Sequence, residues 1–255
     1  MSRAARKEYL AALGLETWAL RKPGEAAAAD LPAATPVAGV IPVVLAAATA
    51  RKPTESKRAP AALEDVPREA AFDWTALRER VAACTLCGLS ATRTQTVFGV
   101  GNPQAEWLIV GEAPGGEEDR RGEPFVGRAG QLLNSMLAAI GLAREEVYIA
   151  NVLKCRPPQN RDPLPSEAAS CLPYLHRQIG LLRPKIMLVV GRIAAQNLLH
   201  TDVKLGALRQ QVHVFGDTRV PLVVTYHPAY LLRSPLEKRK AWEDLKFARE
   251  VFARG

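Results

Sequence analysis

Three segments of the chain combine residue types that can bind and activate a ligand. The first, residues 111–130, is rich in glycine and also carries Glu112, Glu118 and Phe125. The second begins at Asn151, and the third contains His227 directly before a proline. Glycine lets a backbone approach a ligand closely, carboxylates and imidazoles move or hold protons, and an amide both donates and accepts hydrogen bonds. We expect the three segments to form one ligand site.

The four cysteines of the chain form a second candidate site. Cys84 and Cys87 have the Cys-x-x-Cys spacing that places two thiolates within reach of one metal centre, and Cys155 and Cys171 follow at wide spacing. A structural zinc site more typically uses a second closely spaced pair or histidine, so this spacing suits an iron–sulfur cluster as well or better. Buried free cysteines and a redox pair remain alternatives.

Strands that alternate with helices must position both sites. Apolar runs predict strands at 107–111, 147–153, 185–191 and 222–226, and amphipathic patterns predict helices at 130–142, 166–182, 192–199 and 235–252. This alternation predicts an α/β domain of three layers, α/β/α, around a central four-stranded parallel sheet. Because each ligand segment follows a strand, we expect all three at the carboxyl edge of the sheet, where open α/β sheets bind ligands.

Composition divides the 255 residues into three parts. Residues 1–22 read as a short amphipathic peptide, residues 23–71 as an Ala- and Pro-rich flexible linker, and residues 72–255 as the folded domain that carries both candidate sites. Residues 9–21, Tyr-Leu-Ala-Ala-Leu-Gly-Leu-Glu-Thr-Trp-Ala-Leu-Arg, resemble the N-terminal peptide of the bacterial clamp-loader psi subunit. That resemblance implies docking to a replication partner; the alternative is a helix that packs on its own domain.

The charge of the chain favours an acidic partner such as nucleic acid. The chain has 34 basic and 26 acidic residues, a net charge of +8, and residues 73–255 hold 24 and 18 of them, a net charge of +6. The alternative is a surface charge that serves only solubility. The longest apolar run, residues 37–50, contains Pro42 and is shorter than the about 20 residues that span a bilayer, so we expect no membrane segment and a cytoplasmic protein.

Four motifs follow one another along the chain: Gly-Glu-Ala-Pro-Gly from Gly111, Glu-Pro-Phe-Val-Gly-Arg-Ala-Gly from Glu123, Asn-Val-Leu-Lys-Cys-Arg-Pro-Pro from Asn151, and His-Pro-Ala-Tyr-Leu-Leu from His227. Together they resemble the family 4 uracil-DNA glycosylases in order and spacing. The four cysteines also resemble those that bind a [4Fe–4S] cluster in that family. The resemblance covers about residues 84–253 and implies a uracil-DNA glycosylase-like fold; the N-terminal part inherits nothing from it.

The resemblance implies a role for each residue of the site. Phe125 stacks on uracil, the amide of Asn151 pairs with uracil N3–H and O4, and His227 donates to uracil O2 as the glycosidic bond breaks. Glu112 positions the attacking water, or alternatively only stabilises its loop. The remaining residues implied to surround the base are Gly111, Ala113, Gly115 and Glu118, with Asp119 a secondary candidate.

Residues beside the site are expected to contact DNA. Leu231 and Leu232 are candidates for an apolar wedge that fills the gap left by a flipped nucleotide, and Arg233 follows them as a phosphate contact. The alternative for both leucines is packing at the start of a helix. Further candidate phosphate contacts are Arg128, Lys154, Arg156, Arg161 and Arg192.

The function implied is a monofunctional uracil-DNA glycosylase. It would act as a monomer on single- and double-stranded DNA, leave an abasic site that starts base excision repair, and carry a structural cluster in the cytoplasm of a bacterium, at the nucleoid when bound to DNA. The alternatives are an inactive DNA-binding scaffold linked to replication, an iron–sulfur redox protein, and a sister enzyme that traps uracil-DNA covalently. The presence of Phe125, Asn151 and His227 together disfavours the scaffold, and residues 204–213 are a poor version of the basic loop expected for trapping.

Overall fold

The structure is a computed structural model of the chain, and it describes residues 73–254. The predicted peptide at 1–22 and the predicted linker at 23–71 lie outside the described residues.

A mixed sheet forms the centre of the domain. Its strands are β1 Val100–Gly101, β2 Trp107–Gly111, β3 Tyr148–Asn151, β4 Ile186–Val190, β5 His213–Phe215 and β6 Val220–Thr225. They lie in the order β1-β3-β2-β4-β6-β5, in which the four central strands are parallel and the two edge strands are antiparallel to their neighbours. The predicted four-stranded sheet is therefore the centre of a six-stranded one. The edge strands, of 2 and 3 residues, are too short to show a pattern in the sequence.

Helices cover both faces of this sheet. They are α1 Trp74–Ala82, α2 Gly116–Arg121, α3 Arg128–Ala139, α4 Pro165–Leu182, α5 Arg192–Leu199, α6 Leu205–Leu208, α7 Pro228–Arg233 and α8 Lys238–Arg254. Short 3₁₀ turns lie at Gly88–Ala91, Arg144–Glu146, Pro158–Asn160, Gly216–Thr218 and Pro235–Glu237. None of the helices within residues 73–254 is long and apolar enough to cross a membrane.

Two hydrophobic layers hold the helices to the sheet. Successive residues of a strand point to opposite faces, so Leu108 and Val110 pack under α1, α4 and α5, whereas Trp107 and Ile109 pack under α3, α7 and α8. All five residues of β2 and all five of β4 are buried, as expected for central parallel strands covered on both faces. The predicted three-layer α/β/α architecture is confirmed.

The carboxyl ends of the parallel strands bring the predicted segments to one edge. Gly111, the last residue of β2, pairs in register with Asn151, the last residue of β3. Gly191 follows β4, and His227 lies two residues after the end of β6. The side chains at this edge come from parts of the chain more than a hundred residues apart.

Candidate active site

Asn151 and Phe125 pack against the bare backbone of Gly111. A Cβ atom at residue 111 would collide with Oδ1 of Asn151 and would lie 2.7 Å from Cζ of Phe125. Asn151 is only 2% exposed, and its Oδ1 has no hydrogen-bond partner among the described residues. A buried amide oxygen without a partner costs free energy that a bound donor would recover.

The backbone of Phe125 is held in a conformation that few residues adopt. Its φ of 54° lies in the left-handed region, which costs a non-glycine residue about 1–2 kcal/mol. The absence of a side chain at Gly130 makes this possible, because a Cβ there would overlap the carbonyl oxygen of Phe125. The Arg144 guanidinium donates to the carbonyl oxygen of Pro124 at 2.6 Å and so fixes the residue that precedes Phe125. Such strain is found where the surrounding structure needs one side-chain direction.

Two carboxylates fix the glycine-rich loop. Glu118 accepts hydrogen bonds from the backbone N–H groups of Gly115, Val126 and Gly127 at 3.1–3.2 Å. Asp119 is buried and accepts from the N–H of Thr94. Both side chains therefore hold the loop that carries Phe125, and Glu118 is also near enough to His227 to interact with its charge.

His227 stacks against Phe125 as a neutral imidazole. The two ring centroids are 5.6 Å apart and the rings are inclined by 30°. Desolvation by burial, with a smaller contribution from Arg233, lowers the pKa of His227 to about 4, while Glu118 opposes the shift. The N–H of Ala229 donates to Nδ1 of His227 at 3.1 Å. Because a neutral imidazole carries one proton, this bond leaves the proton on Nε2, which is then a donor.

A buried polar network anchors the turn that carries His227. Asp244 on α8 accepts from Thr225 at 2.8 Å and from Arg209 at 2.7 and 2.9 Å. The Arg209 guanidinium also lies 4.7 Å from the ring centroid of Tyr226, the residue before His227. The end of β6 is thereby tied to α8.

Glu112 lies at the end of β2 among other charged groups. Burial raises the pKa of its carboxyl to about 7; Asp162 adds to the shift and Arg192 opposes it. Asp162 and Arg192 form an ion pair of 2.9 Å with each other. The carboxyl can therefore exchange a proton near neutral pH, as a general base requires.

The four cysteines line one pocket. The pocket is bounded by Cys84, Cys87, Cys155 and Cys171, together with Arg93, Lys154 and Tyr174. Within residues 73–254, however, no three His, Cys, Asp or Glu side chains are arranged to hold a single metal ion. The four thiols nevertheless share one pocket, and a set of four cysteine ligands is the kind that holds an iron–sulfur cluster.

Hydrogen bonds to the thiol sulfurs also suit a cluster. Arg93 donates to Sγ of Cys155 at 3.1 Å, and the N–H of Lys154 donates to Sγ of Cys171 at 3.1 Å. Burial raises the pKa of Cys171 to about 11, with Lys154 opposing the shift, so a metal centre must displace the thiol proton.

Lys154 links the cysteine pocket to Asn151. It is 1% exposed, and its Nζ donates to the carbonyl oxygen of Asn151 at 2.8 Å and to Gln178 Oε1 at 2.6 Å. Desolvation by burial lowers its pKa to about 8, while Cys171 and Cys155 oppose the shift. Lys154 is therefore not one of the phosphate contacts that the sequence suggested, because its ammonium cannot reach the surface.

The expected DNA-contacting residues divide between surface and core. Leu231 is 1% exposed and packs in the layer under α7, so it cannot enter DNA from this position. Leu232 is half-buried and Arg233 is exposed. The Arg156 guanidinium packs over Gly116 at the start of α2 and donates to Asn160 at 2.8 Å. Arg161 forms an ion pair with Glu167, and Arg192 forms one with Asp162.

The structure thus gathers four predicted site residues at one edge of the sheet: Asn151, Phe125, Glu112 and His227. Gly111 lies against Asn151 and Phe125, and Gly115 donates to Glu118. Ala113 packs against the hydrophobic cluster that includes Cys155 and Cys171.

Two supporting residues, Gly191 and Asp244, were not recognised in the sequence. Gly191 packs against His227, because a Cβ at residue 191 would lie 3.1 Å from the Cβ of His227. Asp244 is fully buried and accepts the hydrogen bond from Thr225 described above. An acidic residue on the apolar face of the predicted 235–252 helix was a readable signal for Asp244.

Comparisons with known proteins identify the family of the chain. A family model for the Uracil DNA glycosylase superfamily matches residues 98–246. The chain is 44% identical over 191 residues to the type-4 uracil-DNA glycosylase of Archaeoglobus fulgidus, which covers 72% of this chain and 90% of that protein. It is 42% identical over 175 residues to the type-4 enzyme of Thermotoga maritima, covering 67% and 90%.

A type-5 uracil-DNA glycosylase, from Thermus thermophilus, is 32% identical over 214 residues, covering 71% of this chain and 94% of that protein. The type-4 proteins are thus closer in identity over a similar share of the chain. By its family match, its nearly full-length alignment to these relatives and its fold, the chain belongs to the type-4 uracil-DNA glycosylases of the uracil-DNA glycosylase superfamily.

Proposed function

We propose that this protein is a monofunctional uracil-DNA glycosylase that flips uracil out of DNA, hydrolyses its N-glycosidic bond and leaves an abasic site for base excision repair. The observation that carries the proposal is the buried, unpaired amide oxygen of Asn151, which lies beside the Phe125 ring at Gly111, with the His227 ring stacked against Phe125. A base inside a duplex cannot reach such a buried group, so the nucleotide must leave the stack. The type-4 relatives named above support the assignment.

Asn151 selects the base. Its Oδ1 accepts from uracil N3–H and its amide nitrogen donates to O4, which satisfies the oxygen that otherwise has no partner. Cytosine presents an acceptor at N3 and a donor at C4. The Oδ1 acceptor of Asn151 would then face an acceptor, and its amide nitrogen would face a donor. Leaving two buried polar groups unpaired is a strong basis for rejection. Phe125, fixed by its loop, supplies the face on which the ring stacks.

His227 stabilises the leaving group. As the bond between C1′ and N1 breaks, negative charge grows on uracil, including O2. The Nε2–H of the neutral imidazole donates to O2, and the bond strengthens as the charge develops. A neutral donor needs no proton to be taken up or released in this step, which agrees with the low pKa of His227.

Glu112 positions the water. Its carboxylate accepts one proton of a water molecule whose oxygen attacks C1′, so that a bond from C1′ to oxygen replaces the bond from C1′ to N1. The same negative charge stabilises the oxocarbenium-like sugar while that replacement takes place. The uracil anion leaves with the electron pair of the C1′–N1 bond and takes a proton from solvent, while Glu112 releases its own proton to solvent. The products are neutral uracil and an abasic sugar.

Cys84, Cys87, Cys155 and Cys171 would hold a [4Fe–4S] cluster. When bound, it supplies metal–thiolate bonds that tie the segment after α1 to α4 and to the loop after β3. Lys154 transmits that restraint, since its N–H contacts Cys171 and its ammonium contacts the carbonyl of Asn151. The role proposed for these residues is to position Asn151.

We propose that Arg233 and Arg156 contact phosphates of single- and double-stranded substrates. The N-terminal peptide and linker would extend from this catalytic domain toward a replication partner. Action as a monomer and a cytoplasmic location remain predictions. An inactive scaffold is disfavoured because Asn151, Phe125, Glu112 and His227 are all present at one edge of the sheet.

The test is release of uracil from a single-stranded oligonucleotide by purified protein that shows the visible absorbance of an iron–sulfur cluster. Wild-type protein is expected to release uracil without added metal. His227→Ala should lower kcat about 10²–10³-fold, the usual effect of removing one such donor. The control is His213→Ala on β5, which should retain the wild-type rate. Absence of uracil release by the wild type, or an unchanged rate for His227→Ala, contradicts the proposal.

A further inference from the structure

Asp244 is a fully buried carboxylate that takes no part in the reaction proposed above. It lies on α8, and its two oxygens accept four hydrogen bonds. Two come from Arg209, one from Gln210 at 2.7 Å and one from Thr225 at 2.8 Å. A buried carboxylate is costly to desolvate and is tolerated when its oxygens are paired in this way. The donors belong to two segments, the one after α6 and the end of β6.

Arg209 is the cation of this network, and its plane is fixed. Its guanidinium meets Asp244 through Nε at 2.7 Å and through Nη2 at 2.9 Å, a two-pronged contact with a defined geometry. Nη2 also donates at 2.7 Å to the carbonyl oxygen of Lys240, one turn earlier on α8. The Arg209 side chain is only 10% exposed, so it acts on groups of the protein itself.

The ion pair holds the two residues directly before His227. Asp244 accepts from the hydroxyl of Thr225, the last residue of β6. The Arg209 guanidinium lies 4.7 Å from the ring centroid of Tyr226, close enough for a cation–π contact. The side chains at positions 225 and 226 are therefore fixed by one carboxylate and one guanidinium.

The direction of the His227 ring follows from its backbone. His227 is the N-cap of α7, and its Nδ1 is already held by the N–H of Ala229. A shift at the end of β6 would therefore move the Nε2–H together with the backbone. A donor stabilises a leaving group only when it lies within hydrogen-bond distance of the atom on which charge develops. A displacement of about 1 Å can cost about 100-fold in rate.

We propose that Arg209, held by Asp244, is a positioning residue for His227, because it fixes the end of β6 from which the Nε2–H is aimed at the leaving base. The inference rests on the proposed function and deepens it. A buried ion pair adds little net stability over an apolar pair of similar size, so fixed geometry is what this pair contributes. Asn151 and Phe125 lie on β3 and on the loop before α3, so Arg209 serves bond cleavage and not recognition of the base.

The test is a double-mutant cycle of Arg209→Gln and His227→Ala, measured as kcat and KM for uracil release from a single-stranded oligonucleotide. Arg209→Gln should lower kcat about 10–100-fold and leave KM within about threefold, because the groups that bind the base are intact. In the His227→Ala background the same change should lower kcat by less than about twofold, since the group that it positions is already absent. A role in stability alone would give the same loss in both backgrounds.

Two further variants separate position from stability. Arg209→Gln leaves Asp244 without its cation and can destabilise the fold, whereas Arg209→Lys keeps a positive charge there and loses the two-pronged contact. Arg209→Lys should therefore show the same pattern with a smaller loss of kcat. The control is Leu182→Ala, which removes a buried side chain at the end of α4, before the start of β4. It should lower the thermal midpoint and leave kcat unchanged.

The outcomes separate this inference from the proposed function. Three results overturn the role of Arg209 while leaving uracil release by the wild type intact. They are a wild-type kcat for both Arg209 variants, a raised KM with an unchanged kcat, and an equal loss of kcat with and without His227. Wild-type protein that releases no uracil overturns the proposed function and this inference together.

Discussion

At the scale of single residues, the site consists of polar groups that are buried before any substrate arrives. Asn151 keeps an unpaired oxygen, His227 keeps a neutral ring, and Glu112 keeps a carboxyl whose pKa is near 7. In the proposed function, the oxygen of Asn151 finds its partner when uracil binds, and the hydrogen bond from His227 strengthens only as charge develops on the leaving base. The second kind of interaction, stronger in the transition state than in the ground state, is what accelerates a reaction.

The pH dependence of uracil release should report on Glu112. Its carboxyl is protonated below its pKa of about 7 and charged above it, and only the charged form attracts a proton from water. We therefore expect kcat/KM, which reports ionisations of the free enzyme, to rise with pH through about 7 and then level off. His227, with a pKa of about 4, stays neutral across that range and adds no second step. The measurement is kcat/KM on a single-stranded substrate between about pH 5.5 and 8.5.

Glu112→Gln is the matched variant for this profile, because it preserves size and removes the titrating group. Its kcat/KM should be lower and independent of pH over the same range. A variant that keeps the wild-type rise near neutral pH would assign the ionisation to another group.

The types of the site residues could be predicted from the sequence, but their burial could not. Asn151, Phe125 and His227 stand in recognisable motifs. Lys154 and Leu231 stand in the same motifs and were expected to face DNA, yet both are about 1% exposed. Gln178, 24 residues from Lys154, supplies the partner that makes a buried ammonium tolerable, and a contact over that distance is set only by the fold.

At the scale of elements, the site depends on strands whose ends coincide. The register of β2 and β3 places Gly111 opposite Asn151, and Asp244 on α8 holds the end of β6. The four central strands could be predicted because each is a continuous apolar run. The edge strands β1 and β5 could not, since 2 or 3 residues carry no periodicity. The strained backbone at Phe125 and its dependence on Gly130 also needed the structure.

Gly111→Ala should abolish most activity while the fold remains intact. The added methyl group would overlap Oδ1 of Asn151 and the ring of Phe125, so one or both must move away from the base. A displacement of about 1 Å in such a site can cost about 100-fold in rate. The measurement is kcat/KM for uracil release, with the thermal midpoint recorded for the same protein.

The control for this variant is Gly180→Ala in α4, where a Cβ would meet nothing within 4 Å. It should retain wild-type activity. Full activity of Gly111→Ala would show that Asn151 and Phe125 are not held in place through this contact.

At the scale of the whole molecule, the cysteines connect distant segments. If they hold a cluster, Cys87→Ser should remove its visible absorbance and destabilise the domain by about 2–4 kcal/mol, as loss of a cross-link over a long loop does. Because each kcal/mol of lost stability lowers the thermal midpoint of a domain of this size by about 2–4 °C, the midpoint should fall clearly. Ser170→Ala, in the same pocket but without a thiol, is the control. An unchanged midpoint for Cys87→Ser would favour free thiols.

The most direct test of the account is the rate of uracil release by Asn151→Ala on a single-stranded substrate, measured beside Asn197→Ala. Asn197 lies on α5, where its amide donates to the carbonyl of Ile193, outside the site. Removing two hydrogen bonds to uracil should lower kcat/KM about 10²–10⁴-fold, whereas Asn197→Ala should match the wild type. The visible absorbance of both variants should equal that of the wild type. Uracil release by Asn151→Ala at the wild-type rate would contradict the account.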